Sequence, residues 1–364
     1  MISLLRRALK GPSRGGLCAA ASLAALGGGA LAPGARAADL LAFQNVDPPF
    51  VTGQPGDGDT NVWTIDPDTG AARALTAGPG FDGQPRWSPD GTRLAFSSDR
   101  AGSRDIWTMR ADGADPRAVT SGPADDEQPA WSPDGTRVVF VRRDASGVAL
   151  VTARTDGAVQ RVLESVPCCS MDKPRWSPDG RWIAFGESVT LTGAPGSVVV
   201  VGADGTPRRS LGSGSDPEWS PDSARLAFGG PELTTVSPDG TDPRGLGGPG
   251  ESPAWTPDGR TLVFKRPGPV DATGQLHRIS VTGTGDVALT APGWSQFPDE
   301  RDPEVAPDGA RVAFELGSTE PGSMLALASV SSGGPRALLS GRLFETDPVW
   351  RPAPAPPAPG GPGA

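Results

Sequence analysis

Residues 85–99 read PRWSPDGTRLAFSSD, and residues 129–143 repeat the pattern as PAWSPDGTRVVFVRR. The shared elements are Pro-x-Trp, a Pro-Asp-Gly turn and an apolar run that contains Phe. A unit that recurs every 40 to 50 residues or so is typical of a β-propeller. Six copies of Pro-x-Trp place their tryptophans at Trp87, Trp131, Trp176, Trp219, Trp255 and Trp350, and a seventh, Pro303-Glu304-Val305, has valine instead.

Two further landmarks recur with the tryptophans. An apolar run reaches a phenylalanine at Phe43, Phe96, Phe140, Phe185, Phe228, Phe264 and Phe314. A later turn contains a glycine at Gly70, Gly113, Gly157, Gly205, Gly240, Gly283 and Gly333. Each landmark occurs seven times, so the chain contains seven units.

One unit shows how many strands each contains. Residues 129–163 hold four strand-like runs, around Trp131 and over 137–141, 148–153 and 159–163. Four strands per unit make a propeller blade. We therefore predict an all-β propeller of seven four-stranded blades over residues 38–350, with six blades as the alternative.

The two ends of the repeat region are out of phase. The region begins with a second-strand segment, residues 40–43, and finishes with a first-strand segment, residues 347–350. We expect the C-terminal strand to complete the first blade and close the ring, because closure leaves no exposed sheet edge.

The first 37 residues have the layout of a signal peptide. They contain five basic residues, no acidic residue and an Ala/Leu/Gly-rich stretch over 15–32. This predicts cleavage after Ala37, and the Arg6-Arg7 pair partly resembles a twin-arginine export signal. We expect a periplasmic or secreted protein without a transmembrane span, ending in a disordered Pro/Ala/Gly tail at residues 351–364.

The predicted mature chain is acidic. Removing the five basic residues of the signal from 33 Lys and Arg leaves 28, against 42 Asp and Glu, a net charge of −14. A strongly negative protein repels phosphate backbones and anionic lipid. Nucleic acid is therefore not an expected partner.

The recurrent aspartates of the Pro-Asp-Gly turns and the tryptophans have structural explanations. Pro, Asp and Gly each favour a turn for a local reason. A large ring that recurs once per unit is expected to pack between neighbouring blades. We assign neither set to catalysis.

An acidic residue stands within three positions before the Pro of every Pro-x-Trp copy. These residues are Asp82, Glu127, Asp172, Asp216, Glu251, Asp302 and Asp347. Equivalent loops of a propeller meet around one mouth of its channel, so the seven acids could form an acidic rim that binds a cationic peptide, a basic protein surface or a metal ion. The alternative is that each acid only caps a turn before Pro.

Few residues suit catalysis. The only histidine, His277, falls in a predicted strand, and one histidine cannot furnish both a triad and a metal cage. Cys168 and Cys169 are adjacent, so the alternatives are a strained vicinal disulfide, pairing to another chain, or two inert thiols. We predict no catalytic residue, no metal site and no cofactor.

The order Pro-x-Trp-Ser-Pro-Asp-Gly, then Arg-Leu-Ala-Phe, then Asp-Ile-Trp-Thr-Met, is most complete between Pro85 and Thr120. It resembles the TolB-type WD-like propeller repeat, and the resemblance covers residues 39–350. It implies a propeller fold, an envelope or extracellular compartment and a tendency to bind proteins.

These observations favour a monomeric, non-catalytic scaffold that binds a protein or peptide in the cell envelope or outside the cell. The first alternative is a propeller that senses a small ligand, a sugar or a cation. The second is a propeller hydrolase or lyase.

Overall fold

The structure is a computed structural model. It describes residues 40–46, 59–167, 169–188, 196–268, 274–291, 299–317, 324–338 and 344–353. The chain divides into residues 1–35 and 36–364, and every described residue belongs to the second unit. The predicted signal peptide and residues 354–364 of the predicted tail at 351–364 lie outside the described residues.

The described residues are all-β and form short strands. In chain order these are β1 (Leu41–Val46), β2 (Thr60–Ile65), β3 (Ala72–Ala74), β4 (Asp82–Trp87), β5 (Arg93–Ser98), β6 (Asp105–Arg110), β7 (Arg117–Ala118), β8 (Asp125–Trp131), β9 (Arg137–Asp144), β10 (Gly147–Arg154), β11 (Gln160–Val166), β12 (Ser170–Trp176), β13 (Trp182–Ser188), β14 (Ser197–Gly202), β15 (Arg208–Ser213), β16 (Ser215–Trp219), β17 (Leu226–Gly229), β18 (Thr234–Val236), β19 (Arg244–Gly245), β20 (Glu251–Trp255), β21 (Thr261–Pro267), β22 (Gly274–Ser280), β23 (Val287–Ala288), β24 (Asp299–Val305), β25 (Arg311–Gly317), β26 (Met324–Ser329), β27 (Gly333–Ala337) and β28 (Phe344–Trp350).

Successive groups of four strands pair antiparallel. The sheets are β4–β7, β8–β11, β12–β15 and β16–β19, followed by β20–β23 and β24–β27, which one parallel pair between Gly274 and Asp299 joins. The all-β, four-stranded organisation predicted from the repeat is confirmed.

The remaining sheet combines the two ends of the repeat region, in the order β28-β1-β2-β3. Leu41 pairs with Trp350 and Ala42 with Val349 in antiparallel register. The C-terminal strand thus takes the first-strand position in the sheet of β1, as its phase in the sequence predicts.

Apolar side chains pack between successive sheets. One cluster joins Phe140 of β9 to Ala95 and Ile106 of the preceding sheet. Another joins Phe43 of β1 to Ala313 of β25. All seven landmark phenylalanines are buried, which ties each second strand to the core.

The first strand of each sheet carries a β-bulge at the residue before proline. These seven pre-proline residues are Gln84, Gln128, Lys173, Asp216, Ser252, Asp302 and Asp347, with φ between 44° and 57°. The pairing register shifts there, for example between Gly83 and Arg86 in β4. A bulge re-aims the side chain it carries, so this position sets where the seven side chains point.

Candidate binding site on the first strands

The aspartates of the first-to-second-strand turns are engaged in the turns themselves. In the turn after β16, Asp222 Oδ1 accepts hydrogen bonds from Ser220 Oγ at 2.6 Å and from the backbone N–H of Ala224 at 3.0 Å. These bonds lower the pKa of Asp222 because they stabilise its carboxylate. The same bonds recur at Asp258, which supports the structural interpretation of these residues.

The pre-proline residues of separate sheets meet. Lys173 Nζ lies 2.6 Å from Asp216 Oδ1 and 2.9 Å from Asp302 Oδ1, and Ser252 Oγ donates to Asp302 Oδ1 at 3.2 Å. Burial disfavours the charged form of Lys173, but the attraction of Asp302 and Asp216 outweighs it and raises the pKa of Lys173. Residues up to 129 positions apart therefore form one ionic cluster.

Glutamine side chains link the neighbouring bulges. Gln44 Oε1 accepts a hydrogen bond from the backbone N–H of Gln84 at 2.9 Å, and Gln84 Oε1 accepts one from Gln128 at 2.8 Å. Gln128 Oε1 in turn accepts the N–H of Lys173 at 2.7 Å. Each carboxamide oxygen thus holds the bulge of the next sheet.

A second layer of charge is formed by four of the residues that directly follow these prolines, Arg86, Arg175, Glu218 and Glu304. Arg175 Nε lies 3.4 Å from Glu218 Oε2. Burial, with repulsion from Arg175, lowers the pKa of Arg86. Burial also raises the pKa of Glu218, and burial together with repulsion from Glu218 raises the pKa of Glu304 to about 7.

A cavity of about 80 Å³ lies between these two layers. Its lining comprises Gln84, Arg86, Gln128, Pro129, Lys173, Arg175 and Asp347. Every charged or amide side chain among them is partly exposed, so solvent reaches the cavity. A second cavity of about 210 Å³ lies between the turns that follow β4 and β8, where Asp90 and Asp134 serve the turns.

The structure brings only part of the predicted acidic rim together. Asp216, Asp302 and Asp347 are pre-proline residues, and the first two share Lys173. Asp172 precedes the bulge by one position, and burial and repulsion from Asp216 raise its pKa. These four acids are close neighbours of the cavity or of the Lys173 cluster.

The other three predicted rim acids pair with cations outside the Lys173 cluster. Asp82 Oδ1 lies 2.9 Å from Arg100, and Glu127 pairs with Arg104 and, at 3.3 Å, with Arg143. Glu251 Oε2 lies 3.0 Å from Lys265 Nζ. The binding role of the seven acids stays a prediction, but they do not occupy seven equivalent positions.

The remaining candidates from the sequence lie apart from this cavity. His277 lies in β22, with Nδ1 2.7 Å from Asp286 Oδ1. Cys169 directly precedes β12, whereas Cys168 falls outside the described residues. The three alternatives for this pair therefore stay predictions. Measuring the mass of the intact protein without reduction would test them. Within the part of the chain that the structure describes, no three His, Cys, Asp or Glu side chains are grouped so as to hold a metal ion.

The tryptophans contribute hydrogen bonds as well as packing. The indole N–H groups of Trp131, Trp219 and Trp255 donate to the carbonyls of Arg86, Arg175 and Glu218, each in the first strand of the preceding sheet. Arg86, Arg175 and Glu218 therefore offer their backbone carbonyls to the next sheet and their side chains to the charged layer.

The sequence analysis did not single out Arg86, Arg175, Gln84 or Gln128. A signal for them exists in the repeat, because they occupy two fixed positions: directly before and directly after the proline of Pro-x-Trp. Aligning the copies on that proline, rather than searching each for an acid, would have found them.

The described residues contain no helix of the length and apolar character required to span a membrane. No curated protein sequence matches the chain.

Several solved structures have a similar fold. TolB from Acinetobacter baumannii aligns with 81% of this chain and 79% of its own, at 16% identity and a TM-score of 0.53. An oligogalacturonate lyase in complex with manganese aligns with 75% of this chain and 83% of its own, at 19% identity and a TM-score of 0.60. A Mycobacterium tuberculosis puromycin-hydrolyzing peptidase aligns with 84% of this chain at 19% identity and a TM-score of 0.65, but only 54% of that peptidase is covered.

These identities show a shared fold and leave function open. The profile of the TolB beta propeller domain matches residues 50–223, the part of the chain in which the Pro-x-Trp repeat is most regular. Residues 50–223 of this chain are therefore similar to the TolB beta propeller domain family, which is the resemblance expected from the repeat.

Proposed function

We propose that the chain is a seven-bladed propeller closed into a ring, which works outside the cytoplasm as a non-catalytic scaffold for a protein partner. Closure is supported at both faces of the sheet that contains β1. Trp350 Nε1 donates to the carbonyl of Glu304 at 2.8 Å on one side. Trp87 Nε1 donates to the carbonyl of Val349 at 3.2 Å on the other.

Export is proposed from the first 37 residues, whose basic, apolar and small-residue segments follow the order of a signal peptide. The likeness to the TolB fold is consistent with this compartment. The acidic mature chain would then carry its net negative charge into the envelope or the medium.

The cluster of Lys173, Asp216 and Asp302 is the observation on which the scaffold proposal rests. In a closed ring, three blades deliver these side chains to one mouth of the central channel, where Asp347 adds a further carboxylate. Among the seven pre-proline residues, three acids stand against one lysine, which leaves an excess of negative charge in that layer of the mouth. A basic segment of a partner protein would be attracted there.

The proposal is tested by affinity capture with residues 38–364 from envelope and culture extracts. One variant carries Asp216→Asn, Asp302→Asn and Asp347→Asn. The matched control carries Asp112→Asn, Asp156→Asn and Asp204→Asn, which removes the same charge from exposed turns. Since Lys173 loses its partners in the first variant, Asp347→Asn alone is included to keep that cluster intact.

We expect native protein and control to retain one partner, with retention that falls as salt rises, and the mouth variants to lose it. Equal recovery by all forms would move the docking surface away from the mouth. Turnover of a substrate by the native protein would contradict the non-catalytic proposal.

A further inference from the structure

Arg86 makes no ion pair with a described residue, and Asp347, Glu304 and Glu218 attract its charge only from a distance. No described carboxylate lies within ion-pair distance of its guanidinium, and its Nε is buried without a hydrogen bond. The only described hydrogen bond of the guanidinium runs from Nη1 to the carbonyl of Pro85 at 2.9 Å. A guanidinium that has lost part of its hydration is stabilised when an anion and hydrogen-bond acceptors complete it.

The other cations of the same cavity have partners. Lys173 pairs with Asp216 and Asp302, and Arg175 pairs with Glu218. Arg86 is therefore the cation of the cavity with which an incoming anion would form an ion pair. A guanidinium suits a carboxylate in particular, because its parallel N–H groups match the two oxygens.

Asp347 is a carboxylate of the same cavity that, like Arg86, makes no ion pair with a described residue. It lines the same cavity, from β28 of the adjacent sheet, and makes no hydrogen bond or ion pair with any residue that the structure describes. Its backbone bulge holds it there, since the φ of Asp347 is 55°. The cavity thus presents one unpaired cation and one unpaired carboxylate that do not reach each other.

Two amide groups add hydrogen-bond donors. The Oε1 atoms of Gln84 and Gln128 accept backbone N–H groups, which fixes each carboxamide with its oxygen toward the next bulge and its NH2 group elsewhere. Both side chains line the cavity, and neither NH2 group bonds to a described residue. Their two NH2 groups are available to an acceptor beside Arg86.

The size of the cavity restricts the ligand. A volume of 80 Å³ has room for a few water molecules. A head group of five heavy atoms fits this space, whereas a folded segment does not.

We propose that this cavity binds the zwitterionic head group of a free α-amino acid, with the carboxylate on Arg86 and the two glutamine NH2 groups and the ammonium on Asp347. The ligand is a small molecule, so this site goes beyond the docking of a protein partner and does not depend on it. A peptide C-terminus would lack the ammonium, and a peptide N-terminus would lack the carboxylate.

The test is isothermal titration calorimetry and thermal unfolding of the mature chain with glycine and L-alanine. Acetate and methylamine, each carrying one of the two charged groups, separate the two contacts. The variants are Arg86→Gln and Asp347→Asn. The matched controls are Arg110→Gln and Asp156→Asn, at exposed positions outside the cavity.

We expect glycine or alanine to bind and to raise the melting temperature, and acetate and methylamine to bind at least about tenfold more weakly, which corresponds to about 1.4 kcal/mol. Arg86→Gln and Asp347→Asn should each abolish amino-acid binding, whereas the controls should bind as the native protein does. Arg86→Lys, which keeps the charge but not the fork, replaces Arg86→Gln if the latter does not fold.

No binding of either amino acid at millimolar concentration would overturn the proposal. So would acetate binding as tightly as glycine with no effect of Asp347→Asn, because the ligand would then be a simple anion. Loss of the protein partner in the capture experiment leaves these titrations unaffected, so the two proposals fail separately.

Discussion

The indole N–H of Trp87 donates to the backbone carbonyl of Val349 at 3.2 Å, across 262 positions of the chain. Trp176 is equally buried, at 7% exposure. Its indole nitrogen makes no hydrogen bond to the described residues. Two tryptophans in equivalent positions thus differ by one hydrogen bond between sheets.

This difference predicts unequal costs of substitution. Trp87→Phe and Trp176→Phe lose similar apolar area, but only Trp87→Phe leaves a carbonyl without its donor. Trp87→Phe should therefore lower the free energy of unfolding by about 1 kcal/mol more than Trp176→Phe. Urea denaturation of the two variants measures it, and equal losses would show that the bond adds nothing.

Glu304 predicts a pH dependence of stability. Its folded pKa of about 7 lies above the ordinary 4.5, because burial and Glu218 disfavour its charge. As the pH rises, Glu304 therefore stays protonated to a higher pH in the folded state than in the unfolded state. The contribution of Glu304 to the free energy of unfolding falls as the pH rises from about 4.5 to 7.

Glu304→Gln should remove that fall. We expect the variant to gain on the order of 1–2 kcal/mol relative to the native protein between pH 5 and pH 8, after allowance for water at this partly exposed side chain. The exposed Glu232→Gln is the control, and thermal unfolding across this range is the measurement. Parallel pH profiles for Glu304→Gln and the native protein would contradict the assignment.

Two glycines with the same backbone angle predict different tolerances. Gly70 has φ +71° with no atom near an added Cβ, whereas Gly333 has φ +68° and an added Cβ would overlap the carbonyl oxygen of Leu289. Gly70→Ala should cost about 1 kcal/mol from the left-handed conformation alone. Gly333→Ala should cost about 2 kcal/mol more, because the backbone must move. Chemical denaturation distinguishes them, and similar costs would show that the contact at Leu289 yields easily.

The hydrogen bonds of Asp134 predict how much the turn aspartates contribute to the free energy of unfolding. Its Oδ1 accepts the N–H of Thr136 at 3.0 Å and the hydroxyl of Ser132 at 2.5 Å. Asp134→Ala should cost about 1–2 kcal/mol, and Asp134→Asn less than half of that, because an amide oxygen still accepts. Thermal unfolding measures both, and an equal loss in the two variants would show that charge rather than hydrogen bonding matters.

The repeat was enough to predict the sheets, but it did not predict the direction in which the side chains before each proline point. Pro-x-Trp and the apolar run around Phe140 specify strand order, because pairing and burial follow from pattern. The bulge before proline was not foreseeable, since Gln84 and Lys173 are not residues that favour positive φ. Their conformation follows from tertiary context.

The same gap explains the partial acidic rim. Asp82 stands two residues before the bulge of β4, where the strand directs it to Arg100 rather than to the cavity. Asp347 stands on the bulge itself. A search window of three residues cannot separate these cases, because adjacent strand residues point to opposite faces.

At the bulge before each proline, the backbone conformation is independent of the chemistry of the side chain. The backbone angle there recurs with Gln, Lys, Ser and Asp alike, so no particular side chain at the bulge is required for this geometry. Substitution at these seven positions can therefore alter the charge and hydrogen bonding of the cavity while the sheets keep their packing. Descendants of one such fold can acquire new ligands by single exchanges at these sites, with the architecture inherited unchanged.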